Sequence, residues 1–262
     1  MAPETASDSP AVPPSQDGLS APLPPGLYLV GTPIGNREDI TLRALRVLRT
    51  ASVVFAEDTR HTRPLLESYS ISTPLVSCHK FNERSRADEL VRRIASGQSV
   101  TLVTDAGMPG ISDPGARSAA AVRAAGLPVT VVPGPCALSS AVALCGCSTS
   151  HSFWFEGFLD HKTAARRRRL AELASLDAPV VFYESTHRIL KLLDEVEETL
   201  SPSRRLFIAR ELTKLHEETV LGTPADLRRH YQTHSLKGEF VVILLPASAD
   251  TREGPAGNTP CA

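Results

Sequence analysis

The chain has no apolar run of the roughly twenty residues a membrane-crossing helix needs. Its N-terminus lacks a basic segment followed by an apolar stretch, so a signal peptide is not expected. Five cysteines, Cys78, Cys136, Cys145, Cys147 and Cys261, form no C-x-x-C pair and no metal-ligand spacing with histidine. They read as reduced, mostly buried thiols of a cytoplasmic protein, with no metal implied. Neither G-x-G-x-x-G nor a P-loop lysine is present, which excludes two common phosphate-cradling motifs. A formal net charge of −1 argues against a wholly basic nucleic-acid binder. Residues 1–25 carry only Glu4, Asp8 and Asp17, and residues 247–262 carry Asp250 and Glu253 against Arg252. The body, 26–246, is therefore mildly basic and compatible with a local RNA-binding patch.

What the 262 residues do contain is enough apolar material for one large domain or two small ones. Residues 1–25 and 247–262 are expected to be disordered tails, too poor in apolar surface to order themselves. Between them, strands are predicted at 27–30, 52–56, 74–77, 100–103 and 128–132. Helices are predicted at 40–50, 83–96, 116–125 and 137–145. This alternation predicts an α/β domain with a largely parallel sheet over 26–146. Small and polar residues at 146–152 suggest a connection to a second α/β domain, 147–246. That domain opens on the aromatic run 153–158, read as a core strand rather than a base-stacking platform. A helix at 161–176, a strand at 180–183, a helix to residue 200, a strand at 206–210, a polar turn and a strand at 239–245 follow.

One stretch organises the rest: VTLVTDAGMPGISDPG at 100–115. A buried strand breaks at Asp105 into a loop where Gly107, Gly110 and Gly115 free the backbone. Pro109 and Pro114 fix φ and remove amide donors. A loop this constrained beyond a strand's carboxyl end is where open α/β sheets bind ligands. Asp113, just before Pro114, is placed to N-cap the next helix. Further strand-end loops are TPIGN at 32–36, AEDTRHT at 56–62, PGPCA at 133–137 and YESTHR at 183–188. With FEGF at 155–158 and ARELTK at 209–214, this set resembles the tetrapyrrole methylase family over about residues 27–245, and within it the branch that modifies RNA. Met108 departs from the threonine of the family's loop.

The resemblance implies two α/β domains, each a mainly parallel or mixed sheet flanked by helices. It implies S-adenosylmethionine as methyl donor in the cleft between them, and a homodimer. The implied reaction is methylation of the ribose 2′-hydroxyl of a cytidine in the decoding region of 16S rRNA, in the small ribosomal subunit. A donor without phosphates suits a chain without phosphate motifs. Implied donor-binding residues are Thr32, Pro33 and Gly35; Asp105, Ala106, Gly107 and Met108; and Pro133, Gly134, Pro135 and Ala137. Asp105 suits a sulfonium neighbour electrostatically. A ribose hydroxyl is a poor nucleophile that a general base would assist, and the charged cluster Glu57, Asp58 and His61 ranks first for that role. Arg60, His79, Asn82, Glu184, His187 and Arg188 are candidate substrate contacts. So are Arg166, Arg167 and Arg168, because four consecutive arginines through Arg169 wrap most of a helix and some must face outward. Two alternatives stay open: a methylase of the same family acting on a tetrapyrrole, another small molecule or a protein side chain, and a non-catalytic RNA-binding relative.

Overall fold

The computed structural model describes residues 22–147 and 152–247. The expected tails lie outside it except for 22–25 and Ala247, as does most of the 146–152 connection.

Among the described residues, short apolar and β-branched runs form two five-stranded sheets. The first contains β1 (Gly26–Val30), β2 (Val53–Ala56), β3 (Leu75–Ser77), β4 (Ser99–Val103) and β5 (Val129–Val132). Its order is β3-β2-β4-β1-β5 and every pairing is parallel. Helices cover both faces, as parallel sheets require. Tyr28, Val30, Val54 and Ala56 pack with α1 (Leu42–Thr50) and α2 (Thr59–Ser68). Leu27, Val53, Phe55, Val100 and Leu102 pack with α3 (Glu83–Ala95) and α4 (Ala116–Ala124) on the other side. Neighbouring strands β1 and β4 thus send their helices to opposite faces, and the loops beyond their carboxyl ends diverge. Such a switch point leaves a crevice in open α/β sheets.

The second sheet is mixed: β6 (Trp154–Phe158), β7 (Val180–Ser185), β8 (Leu206–Arg210), β9 (Glu218–Gly222) and β10 (Glu239–Leu244), in the order β6-β7-β10-β8-β9. Only β6 and β7 run parallel. One face carries α6 (Thr163–Ala174), α7 (Ile189–Thr199) and α8 (Pro224–Thr233), packed through Leu170, Leu192, Val196 and Leu227 on Phe182 and Val242. The other face receives α5 (Ala137–Cys145), which follows β5 of the first sheet. Its small residues let Ala141 bury against Val181, Val241 and Ile243.

Several elements depart from the sequence reading. The 57–62 stretch is a loop only at Glu57 and Asp58: α2 starts at Thr59, capped by Asp58, whose carboxylate accepts from the Arg60 amide at 2.8 Å. The polar turn holds β9 and α8, the latter opened by Pro224 and a Thr223–Asp226 capping box. The aromatic run forms an edge strand rather than a core one, with Phe153, Trp154 and Phe158 all about half exposed. Of the described cysteines, only Cys78 is buried; Cys136, Cys145 and Cys147 are half-buried. No described helix is long and apolar enough to cross a membrane.

Candidate active site

A cleft of about 560 Å³ lies between the carboxyl ends of the first sheet's strands and the second sheet. Its mouth on the first sheet is fixed by backbone. Thr32 and Gly107, in the loops after β1 and β4, exchange hydrogen bonds of 3.0 and 3.1 Å. Gly107 sits at φ +77°, which a side chain with a Cβ adopts at a strain cost. A Cβ on Gly31 would lie 2.8 Å from the Gly134 Cα, so the loops after β1 and β5 touch backbone to backbone. Asp105, Ala106, Gly107, Met108 and Ala137 line the cleft. Thr32, Pro33, Gly35, Pro133, Gly134 and Pro135 are not among its lining residues. Thr32 is buried, donating its hydroxyl to the Thr104 carbonyl at 3.2 Å. Gly35 admits the loop after β8: a Cβ there would run into the Lys214 Cγ, and the Asn36 amide donates to the Thr213 hydroxyl at 3.0 Å.

The lining is apolar, through Ile34, Met108, Ile111, Phe158, Leu212 and Val241, with carboxylates set into it. Asp105 is held by the Asp58 backbone amide, which donates to it at 3.0 Å. Burial, then the neighbouring Asp105 charge, pushes Glu57 up from the ordinary carboxylate range. Asp113 is pushed up to about 7 by burial, with Glu57, Asp105 and Glu239 adding repulsion. Asp113 does not cap α4. Gly115, at φ +135°, occupies the cap position, and the buried Glu83 of α3 accepts from the Gly115 amide at 2.9 Å and the Ser118 amide at 3.3 Å. That leaves Asp113 in the cleft wall. Lys214 lines the opposite side, its ammonium shared between Glu211 at 2.7 Å and Glu239 at 2.9 Å. Asp113, Tyr183, Lys214 and Glu239 were not singled out from the sequence as site residues. The DPG and ARELTK motifs held the signal for Asp113 and Lys214.

Other expected site residues fall elsewhere. Within the 57–61 cluster only Glu57 reaches the cleft. Asp58 is turned to Arg60, whose Nη2 donates at 2.6 Å, and its carboxyl is held down at about 2 by that contact. His61 is exposed on α2. His79 and Asn82 stabilise their own turn, the His79 amide donating to Asn82 Oδ1 at 2.8 Å, and neither lines the cleft. Glu184 and His187 do line it. Glu184 is buried, accepts from the Ser185 amide at 2.6 Å and pairs with Arg188 at 2.9 Å, while Arg188 also donates to the Leu159 carbonyl. The arginine run divides. Arg166 is 1% exposed and clamped on Glu195, so it cannot touch a phosphate. Arg167 pairs with Glu198, Arg169 with Glu156 and Glu172, and Arg168 is exposed. Away from the cleft, Glu218, His230 and His234 gather closely, but Arg210 and His230 already occupy the Glu218 carboxylate at 3.0 and 2.7 Å.

The profile of the Tetrapyrrole (Corrin/Porphyrin) Methylases matches residues 26–228, and the chain belongs to that family. It is 45% identical over 227 residues to the Ribosomal RNA small subunit methyltransferase I of Xylella fastidiosa (strain Temecula1 / ATCC 700964), covering 86% of this chain and 83% of that one. To the protein of the same name from Thermotoga maritima it is 44% identical, over 83% of this chain and 97% of the other. Among solved structures, uroporphyrin-III-C-methyltransferase from Thermus thermophilus superposes with a TM-score of 0.59 at 25% identity, over 83% of this chain and 93% of its own. A cobalt precorrin-4 methyltransferase shares the fold at a TM-score of 0.62 and 18% identity, with the same two coverages.

Proposed function

We propose that the chain transfers the methyl group of S-adenosylmethionine to the 2′-hydroxyl of a cytidine ribose in 16S rRNA of the small ribosomal subunit. The observation that carries this is identity above 40%, spread over more than four fifths of the chain, to proteins named ribosomal RNA small subunit methyltransferase I. The cleft supports it chemically. An apolar lining with Glu57, Asp105, Asp113 and Glu239 in it welcomes a sulfonium cation. The same carboxylates repel a polycarboxylate tetrapyrrole, whereas an RNA chain inserts only a ribose and base and leaves its phosphates outside.

S-adenosylmethionine supplies a methyl group on a positively charged sulfur. Asp105, Ala106, Gly107, Met108 and Ala137 are the residues we assign to hold it, with the walls behind them set by Thr32, Pro33, Gly35, Pro133, Gly134 and Pro135. Asp113 and Glu57 are assigned to accept the ribose hydroxyl's proton. Burial raises both carboxyls above the ordinary range, so each takes a proton more readily than an ordinary carboxylate, and Asp113, at about 7, still ionises at working pH. Asp58 and His61 are assigned structural roles. Phosphates outside the cleft are assigned to exposed cations such as Arg168. Residues 26–146 and 147–246 are proposed as the two domains, with α5 of the first docked on the second. The protein is proposed to act as a cytoplasmic homodimer.

The test is labelled methyl transfer to small subunits lacking the modification, run beside a tetrapyrrole acceptor. Label in the subunits and none in the tetrapyrrole is expected, and the reverse pattern overturns the reading. Calorimetric donor binding without transfer to either would mark a non-catalytic relative.

A further inference from the structure

The FEGF motif at 155–158 contains a β-bulge. Along the β6–β7 pairing, Phe155 stands opposite Val181, but Gly157, not Glu156, stands opposite Phe182, and Phe158 opposite Tyr183. Without that inserted residue, alternation would place position 157 opposite Tyr183 on the face of Phe155 and send Phe158 to the helix-covered side, opposite Glu184. With it, Phe155, Phe158 and Tyr183 share the face that looks into the cleft. Gly157 supplies the conformation, at φ +74°, and a Cβ there would also lie 3.0 Å from the Ser112 hydroxyl of the loop carrying Asp113. Glu156, displaced by the bulge, is locked by Arg169 at 2.7 and 2.8 Å and by the Trp154 indole at 2.8 Å.

The redirected ring is presented rather than packed away. Phe158 is 59% exposed while lining the cleft. The Tyr183 ring meets it edge-on at 5.5 Å and meets Phe155 at 5.2 Å. Tyr183 is itself packed into the cluster formed with Phe155 and with Ala137 and Leu138 of α5. A rigid, half-exposed aromatic ring on the cleft wall is the surface on which a nucleobase stacks. Phe158 belongs to the second sheet, across from the Asp105–Met108 loop to which we assign the donor.

We propose that Phe158, backed by Tyr183 and aimed by the Gly157 bulge, is the stacking wall for the base of the nucleotide whose ribose is methylated. This rests on the function proposed above. The donor also carries a nucleobase, so the experiment separates the two sources. Phe158→Leu and Phe158→Trp are compared with wild type in three measurements: thermal unfolding, calorimetric binding of S-adenosylhomocysteine, and steady-state methyl transfer to unmodified small subunits. For Phe158→Leu, unfolding and donor-product affinity are expected to hold while kcat/KM for subunits falls roughly ten-fold. Phe158→Trp is expected to restore it. Unchanged kcat/KM in Phe158→Leu overturns the wall. An equal loss of S-adenosylhomocysteine affinity overturns it by assigning the ring to the donor's adenine. Failure of Phe158→Trp to restore transfer overturns stacking in favour of shape-specific packing. A wild-type protein that leaves subunits unlabelled overturns the underlying function and the wall with it, a result distinct from the other three.

Discussion

The backbone amide of Asp58 donates to the carboxylate of Asp105 at 3.0 Å and ties the end of β2 to the end of β4. Substitution of the Asp58 side chain leaves that bond in place. Asp58→Ala removes the cap of α2 and the partner of Arg60, so the melting temperature is expected to fall by a few degrees with the single-turnover methylation rate kept. The folded carboxyl, at about 2, lies below the ordinary 3.8, so its stabilising contribution is present above the higher value and lost as pH falls through the lower. Asp105→Ala is expected to weaken donor binding roughly ten-fold, since a charged acceptor on the cleft wall is lost. A rate loss in Asp58→Ala at unchanged donor affinity and stability would put Asp58 back into the chemistry.

Arg166 and Glu195 form a buried pair, and removing one partner strands the other's charge. Arg166→Gln is expected to destabilise the fold by about 3–5 kcal/mol in denaturant unfolding. The salt dependence of RNA binding should be unaltered in the folded fraction, whereas Arg168→Gln, at an exposed cation, should flatten it. A normal unfolding midpoint for Arg166→Gln together with a flattened salt slope would contradict the assignment.

Asp113 is an acid whose folded pKa, about 7, stands above its ordinary 3.8. Burying its charge therefore costs stability. That cost is absent below the ordinary value, grows between the two and is complete above the folded one. Asp113→Asn is expected to stabilise the fold by roughly 1–2 kcal/mol at about pH 8 and to bring little gain near pH 4. A sulfonium beside Asp113 favours its ionised form, so donor binding below neutrality should release a proton. Calorimetry in buffers of different ionisation enthalpy checks this. Equal proton release from wild type and Asp113→Asn would remove Asp113 from the donor's surroundings.

Gly107→Val places a β-branched residue at φ +77° in the bridge to Thr32. Strain of about 1–3 kcal/mol is expected, with donor binding lost at the temperature where the variant stays folded. Wild-type affinity in that variant would show that the loop does not form the donor's wall.

The three central strands of the first sheet were legible because both of their faces are buried, which writes them as short apolar runs such as Val53–Ala56 and Ser99–Val103. The α2 helix was not, because His61, Arg63 and Glu67 give its exposed side a charged texture that resembles a loop. The α8 helix did carry a start signal in Thr223, Pro224 and Asp226, within a stretch otherwise polar enough to read as a turn. Site residues on the 100–115 loop were legible as a group, since glycine and proline at fixed spacing announce a backbone constraint. The direction each side chain takes was not: Asp113 looked like a cap because Glu83, which caps α4 instead, lies some thirty residues earlier on another helix. The arginine run illustrates the same limit. Helical periodicity spreads four side chains around an axis, but only the position of Glu195 decides which of them is swallowed by the core.

Identification of the methylated atom is the most direct measurement. Unmodified small subunits are incubated with enzyme and labelled S-adenosylmethionine, the 16S rRNA is digested to nucleosides, and the labelled nucleoside is identified and mapped. The expected product is 2′-O-methylcytidine from a single position. Label on a base carbon or nitrogen, or label confined to a tetrapyrrole acceptor while the subunits stay unmodified, would contradict the assignment of this cleft to ribose methylation.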